Sequence, residues 1–170
     1  ASDEIVTLCD ELNSKGEFEV DSDFIIRSLL VFGGYSSRVN VERMRDERIM
    51  AHFKEIFPKA REALRSTFDF LVQPNGGAIR TYRLLTSGQR ADRGYNVLLP
   101  IAHYLFLCST QEIPGKEMRR LRRYLYTAIF SRYLVIYVES HVDYLATVLR
   151  TAAKDGVREF PINQVVDEMK

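Results

Sequence analysis

Cysteine and histidine are scarce in this chain of 170 residues, and their scarcity limits the metal and redox chemistry that it can carry. The two cysteines, Cys9 and Cys108, are far apart and fit no metal-binding or redox spacing. The three histidines, His52, His103 and His141, each lack a second ligand at the spacing that zinc sites use. We therefore expect no metal site and no cofactor. Two free cysteines among apolar neighbours fit a reducing cytoplasm.

The residues that would signal catalysis are also missing. The paired glycines Gly33-Gly34 and Gly76-Gly77 are placed as helix stops, so they do not form a phosphate-binding loop. No pair of acids sits in apolar surroundings that would suit acid–base catalysis. The stretch Glu139-Ser-His-x-Asp143 combines an acid, a hydroxyl and an imidazole, but consecutive residues point in different directions on a helix. We therefore predict no catalytic residue, and no enzyme activity for this segment alone.

No apolar run is long enough to span a bilayer, since about 20 residues are needed and the longest run, within Tyr95–Ser109, has about a dozen. The amino end, Ala1-Ser-Asp-Glu4, opens with acidic residues, which is not typical of a signal or transit peptide. We predict a cytoplasmic location with no membrane partner. The first residue is not Met, so the chain is either processed or excised. We take residues 1–170 as one helical domain of a longer protein.

What the chain has in abundance is helical periodicity, which predicts an all-α fold. The run Tyr95–Ser109 is apolar on every side, so a helix at about 97–109 should be buried at the centre of a bundle. Asn96 is its candidate cap, and Pro100 falls in its first turn. The other predicted helices surround it: one from about residue 3 to the stop at Gly16, then 23–32, some 25 residues from Asp46, 116–137, 141–154 and 161–169.

Several helix boundaries carry specific expectations. Pro58 should kink or break the long helix near Phe57, because proline removes a backbone donor and clashes with the preceding turn. The pattern Ser140-x-x-Asp143 resembles a capping box that would start the helix 141–154. The run 133–138 is rich in β-branched and aromatic residues, so it is ambiguous between helix and strand.

Positive charge is concentrated in the middle of the chain. The net charge is only +1, but residues 78–123 hold nine Lys/Arg against three Asp/Glu, and the rest holds fifteen against twenty. This asymmetry indicates an anionic partner, and DNA is the candidate. Arg122 lies at the edge of the apolar stripe of helix 116–137. The predicted phosphate-binding residues are Arg80, Arg83, Arg90 and Arg93 in a long loop and Arg119, Arg120 and Arg123 on the solvent face of helix 116–137. The alternative is a solvated face, or one that contacts an acidic neighbouring domain.

Two polar residues fall on predicted buried positions. Arg132 lies within the apolar stripe of helix 116–137, where a lone charge is costly, so we expect an ion pair with Glu139 or Asp143. A site arginine is the alternative for that position. His103, on the central helix, is predicted to be a hydrogen-bonded core residue. A further hypothesis is a small-molecule pocket beside His103, which would require a cavity at that position.

The order of four stretches resembles the helical region of GmrSD-type restriction proteins. The stretches are Asp23–Gly34, Asn40–Arg45, Tyr95–Phe106, and Ser131–Tyr133 with Glu139–Asp143. In that family the helical region follows a ParB/sulfiredoxin-like NTPase core, and many members end in an HNH-type nuclease.

The resemblance implies a non-catalytic helical domain that positions nucleic acid or the neighbouring catalytic domains of the same polypeptide. The family's Asp-Gly-Gln-Gln-Arg nucleotide motif and His-Asn-His nuclease motif have no matching positions here, so no catalytic residue is carried over. The alternative is a protein–protein or interdomain module with no nucleic-acid role. The oligomeric state is left open by the sequence.

Overall fold

The computed structural model describes residues 2–73, 94–109, 113–134 and 137–169. Within these ranges the chain is helical and has no β-strand, which confirms the predicted all-α fold. The elements are α1 (Ser2–Ser14), α2 (Ser22–Phe32), α3 (Val41–Arg45), α4 (Glu47–Val72), a 3-10 turn (Tyr95–Leu98), α5 (Leu99–Cys108), α6 (Gly115–Ser131), α7 (Val138–Lys154) and α8 (Ile162–Asp167).

Helix α5 lies at the centre of the bundle, as its sequence predicts. Every residue from Leu99 to Phe106 is buried, and the helix packs against α4, α7 and α2. Pro100 lies in its first turn, where the missing N–H has no helical partner to lose. The prediction that Asn96 caps the helix is wrong. Asn96 lies inside the 3-10 turn, and its backbone carbonyl accepts a hydrogen bond from the N–H of Leu99.

Helix α4 runs unbroken through Pro58, so of the predicted kink or break near Phe57 the break is absent. Proline in a helix costs about 3 kcal/mol. Apolar side chains on both sides of Pro58 are buried in the core, including Phe53, Phe57 and Leu64. Burying each large apolar side chain is worth roughly 1.5–3 kcal/mol, so this packing outweighs the loss of one backbone hydrogen bond.

Helix α6 ends at Ser131, and its predicted extension to Tyr137 is wrong. Arg132 adopts a left-handed conformation with φ 55°, which terminates the helix. The chain then reverses so that the ring of Tyr133 stacks on His141 at 3.8 Å, and the Tyr133 carbonyl accepts a hydrogen bond from His141 Nδ1 at 2.7 Å. This local contact replaces the helical continuation.

The position of Arg132 also differs from the prediction. Because α6 ends at Ser131, one residue before Arg132, this arginine leaves the buried stripe and is exposed. Within the described residues it forms no ion pair with Glu139 or Asp143. The charge is solvated, so no buried pair is needed to compensate for it.

Helix α7 begins at Val138, two residues before the predicted capping box, so that prediction is wrong as well. Its N-cap residue, Tyr137, is left-handed with φ 50° and makes no side-chain capping hydrogen bond. Asp143 serves a tertiary contact: its Oδ1 accepts a hydrogen bond from the backbone N–H of Ser37 at 2.7 Å. The hydroxyl of Ser37 donates to the carbonyl of Glu139 at 3.3 Å, so the segment after α2 is held against α7.

This geometry predicts different effects for two substitutions. Asp143→Ala should lower the free energy of unfolding by about 1–2 kcal/mol, because it leaves the Ser37 N–H without its charged acceptor. Ser140→Ala should change it by less than about 0.5 kcal/mol, because Ser140 is exposed and does not cap α7. Urea denaturation of both variants measures the difference. A loss near 1 kcal/mol in Ser140→Ala would instead support the capping box.

Candidate nucleic-acid interface

Two of the predicted arginines, Arg119 and Arg123, face directly away from the core. The buried residues of α6 are Glu117, Leu121, Tyr124, Leu125 and Ala128. At about 100° per residue, Arg119 and Arg123 lie on the opposite side of the helix from this stripe. Both are exposed, and within the described residues neither guanidinium forms an ion pair or a hydrogen bond. Their charges are therefore available to an external anion.

Arg120 is engaged by two carboxylates of the same molecule. Its guanidinium donates to Glu117 within α6 and to Glu159 Oε2, at 2.8 Å, in the segment before α8. Its position on the helix is lateral, between the buried stripe and the outer face. The compensated charge is far less able to attract a phosphate than the charges of Arg119 and Arg123.

Glu117 is a buried carboxylate that the sequence analysis did not single out. Only 5% of the residue is exposed. Its Oε2 accepts hydrogen bonds from the backbone N–H of Phe160 at 2.8 Å and from the Tyr104 hydroxyl at 3.0 Å. With Arg120 on the other oxygen, Glu117 joins α5, α6 and the segment that leads into α8. Helical spacing could have predicted the burial of Glu117, because Glu117 lies four residues before Leu121 and therefore on the same apolar stripe.

The surroundings of Glu117 indicate a structural role. The Tyr104 hydroxyl also lies 2.9 Å from the carbonyl oxygen of Arg158. Burial, followed by the nearby Cys108 and Glu117, raises the pKa of Tyr104, so its phenol remains protonated and can donate. Burial also raises the pKa of the Cys108 thiol, which disfavours the nucleophilic thiolate. The cluster satisfies buried donors and offers no activated nucleophile.

The remaining arginines of the basic segment are Arg122, on α6, and the four loop arginines. Arg122 is half-buried, and its Nε is buried without a hydrogen-bond partner among the described residues. That position fits the edge of the apolar stripe, as predicted. The four loop arginines lie outside the described residues: Arg80, Arg83, Arg90 and Arg93.

Aromatic side chains continue the outer face of α6 beyond the arginines. Tyr126 and Phe130 follow Arg119 and Arg123 at the spacing of one helix face. The rings of Tyr126 and Phe130 are nearly parallel, with an interplanar angle of 16° and a centroid distance of 6.5 Å. Phe130 is 74% exposed. We call Arg119, Arg123, Tyr126 and Phe130 the outer stripe of α6.

His103 is a core residue, but it is not hydrogen-bonded as predicted. It is fully buried, and neither ring nitrogen has a hydrogen-bond partner among the described residues. Its ring stacks on Phe32 at 5.9 Å. Burial, with a smaller contribution from the charge of Arg150, lowers the pKa of His103 to about 3. The crevice beside it is too narrow to hold a water molecule, so it is not a small-molecule pocket.

The described ranges contain neither a cluster of metal ligands nor a helix that could span a membrane. In the described parts of the chain, no group of three or more His, Cys, Asp and Glu side chains is arranged to hold a metal ion. Among the described residues, every helix is either too short or too polar to pass through a lipid bilayer.

A scan against protein-family models gives no match, and a search of curated proteins gives none either.

Proposed function

We propose that this chain is a non-catalytic helical module that binds nucleic acid through the outer stripe of α6. The observation that carries the proposal is the pair Arg119 and Arg123, exposed on one helix face with no compensating carboxylate among the described residues. Guanidinium groups in this state contact phosphates and release counterions on binding. The resemblance to the helical region of GmrSD-type restriction proteins gives the proposal a context, in which the module positions nucleic acid for neighbouring catalytic domains.

Arg120 was predicted from the sequence to bind phosphate, but in this proposal it has a structural role. Its guanidinium holds the segment before α8 to α6 through Glu159 and Glu117, so it acts mainly as a structural contact. Charge reversal at Arg120 would therefore disturb the fold as well as any ligand contact, and it is a poor test of binding. Arg119 and Arg123 have no such contact, so they are the residues to change.

The test is the double substitution Arg119→Glu/Arg123→Glu, measured by fluorescence anisotropy with labelled oligonucleotides at low salt. Each reversal replaces an attraction of about 1 kcal/mol, for a contact at about 4 Å in water, with a repulsion of similar size. The affinity should fall by at least about 100-fold. The control is Arg45→Glu/Arg48→Glu, which makes the same change in net charge at exposed positions of α3 and α4 and should reduce binding far less.

The alternative, an interdomain module whose basic face meets an acidic domain, makes a different prediction for the same variants. The wild-type chain would then bind no oligonucleotide at low salt, and the double reversal would disrupt association with the neighbouring domain. Equal losses in both double variants would indicate only a response to net charge, and would contradict the assignment to α6.

A further inference from the structure

The outer stripe of α6 has two chemically different halves. The amino-terminal half carries the charges of Arg119 and Arg123, and the carboxyl-terminal half carries the rings of Tyr126 and Phe130. The step from Arg123 to Phe130 is two helical turns, which is about 10 Å along the axis at roughly 1.5 Å per residue. Stacked nucleotides rise about 3.4 Å each along one strand, so about three nucleotides cover that step.

The exposed ring of Phe130 shares the outer face of α6 with Arg119 and Arg123, and it offers a contact that phosphate binding does not use. The phenyl ring of Phe130 is 74% exposed to solvent, and the half-buried ring of Tyr126 lies beside it at a centroid distance of 6.5 Å. Phosphates gain nothing from an apolar ring. Nucleobases do, because every base has a π-face that stacks on aromatic side chains.

We propose that the outer stripe is a binding site for single-stranded nucleic acid, in which a base stacks on Phe130 and the adjoining phosphates contact Arg119 and Arg123. This inference rests on the proposed function and narrows its ligand. In a duplex the base faces are occupied by neighbouring bases, so the ring of Phe130 would have nothing to stack on. Duplex DNA would meet only the two arginines, and its binding would be correspondingly weak.

The experiment compares a single-stranded oligothymidylate of about 12 nucleotides with a duplex of the same length at low salt. Wild-type protein should bind the single strand more tightly. Phe130→Leu removes the aromatic face but keeps an apolar side chain, and it should weaken single-strand binding about 10-fold while duplex binding stays unchanged. Phe130→Tyr restores a ring at the same position and should bind within about twofold of wild type. Because Phe130 is largely exposed, neither substitution should impair folding.

Each outcome separates this inference from the proposed function. Single-strand binding that is lost in Arg119→Glu/Arg123→Glu but unchanged in Phe130→Leu would overturn the stacking site and leave the arginine contacts standing. A preference of the wild type for duplex would have the same consequence. If neither oligonucleotide binds at low salt, the proposed function fails, and with it this inference, and the exposed ring would belong to a protein contact. A loss in Phe130→Leu that Phe130→Tyr does not recover would also contradict stacking.

Discussion

Replacing Glu117 with methionine is expected to lower the free energy of unfolding by about 3 kcal/mol. Methionine has nearly the same length but no oxygen acceptors, so the buried N–H of Phe160 loses the carboxylate to which it donates. A buried donor without a partner costs about 1–3 kcal/mol, and hydrogen bonds to a charged acceptor are worth more than neutral ones. The hydroxyl of Tyr104 keeps the carbonyl of Arg158 as a second acceptor, which limits the loss.

Guanidinium denaturation followed by circular dichroism measures this loss of stability. Two further variants separate the contribution of the Glu117 charge from that of its contact with Arg120. Glu117→Gln keeps one oxygen acceptor and loses the charge, so its stability should lie between those of wild type and Glu117→Met. Glu159→Ala removes the other carboxylate that contacts Arg120, and its effect should be small, because 62% of the Glu159 side chain is exposed. Similar losses in Glu117→Met and Glu159→Ala would show that Glu117 is not the residue that joins the three segments.

Acid should destabilise the protein through His103. The folded state lowers the pKa of this histidine from 6.5 to about 3, so the neutral ring is favoured in the folded protein. Its contribution to stability is fully present above pH 6.5 and is lost progressively as the pH falls towards about 3. The loss is about 1.4 kcal/mol for each pH unit in that interval, because the unfolded chain takes up the proton and the folded chain does not.

The substitution His103→Leu isolates this effect from the other acidic and basic groups. Between pH 7.5 and pH 4.5, wild type should lose about 3 kcal/mol more stability than the variant. Leucine should also be tolerated or stabilising at neutral pH, because it removes two buried nitrogens that have no hydrogen-bond partner among the described residues. Ile101→Val, on the same buried helix, should lower stability equally at both pH values. A parallel pH dependence in wild type and His103→Leu would contradict the assignment.

Those parts of the fold that depend on apolar periodicity and local capping could be predicted from the sequence. The burial of α5 followed from a run that is apolar on all sides, and the predicted helix 23–32 matches α2, which Asp21 caps by accepting a hydrogen bond at its Oδ1 from the N–H of Phe24 at 2.9 Å. The errors arose where tertiary contacts decide a local outcome. α6 ends at Ser131, where the packing of Tyr133 on His141 replaces a further helical turn. Asp143, predicted to cap α7, instead accepts a hydrogen bond from the backbone N–H of Ser37.

For the candidate site as well, features that depend on helical spacing could be predicted, and those that depend on tertiary contacts could not. Helical spacing was enough to place Arg119 and Arg123 on the outer face of α6. It could not show that Arg120 is neutralised, because Glu159 comes from a distant segment. The aromatic half of the stripe was also overlooked, although Phe130 lies on the same face as Arg119 and Arg123, since the exposure of a ring depends on what the rest of the fold leaves uncovered.

The most direct test of the central claim is the salt dependence of oligothymidylate binding by the wild-type chain and by Arg119→Glu/Arg123→Glu. Each phosphate contact on a single strand adds about −0.7 to the slope of log affinity against log salt concentration. Two arginine contacts therefore predict a slope that is shallower by about 1.4 in the double variant, together with weaker binding at low salt. Equal slopes in the two proteins, or no binding by wild type at the lowest salt concentration, would contradict the claim that α6 binds nucleic acid.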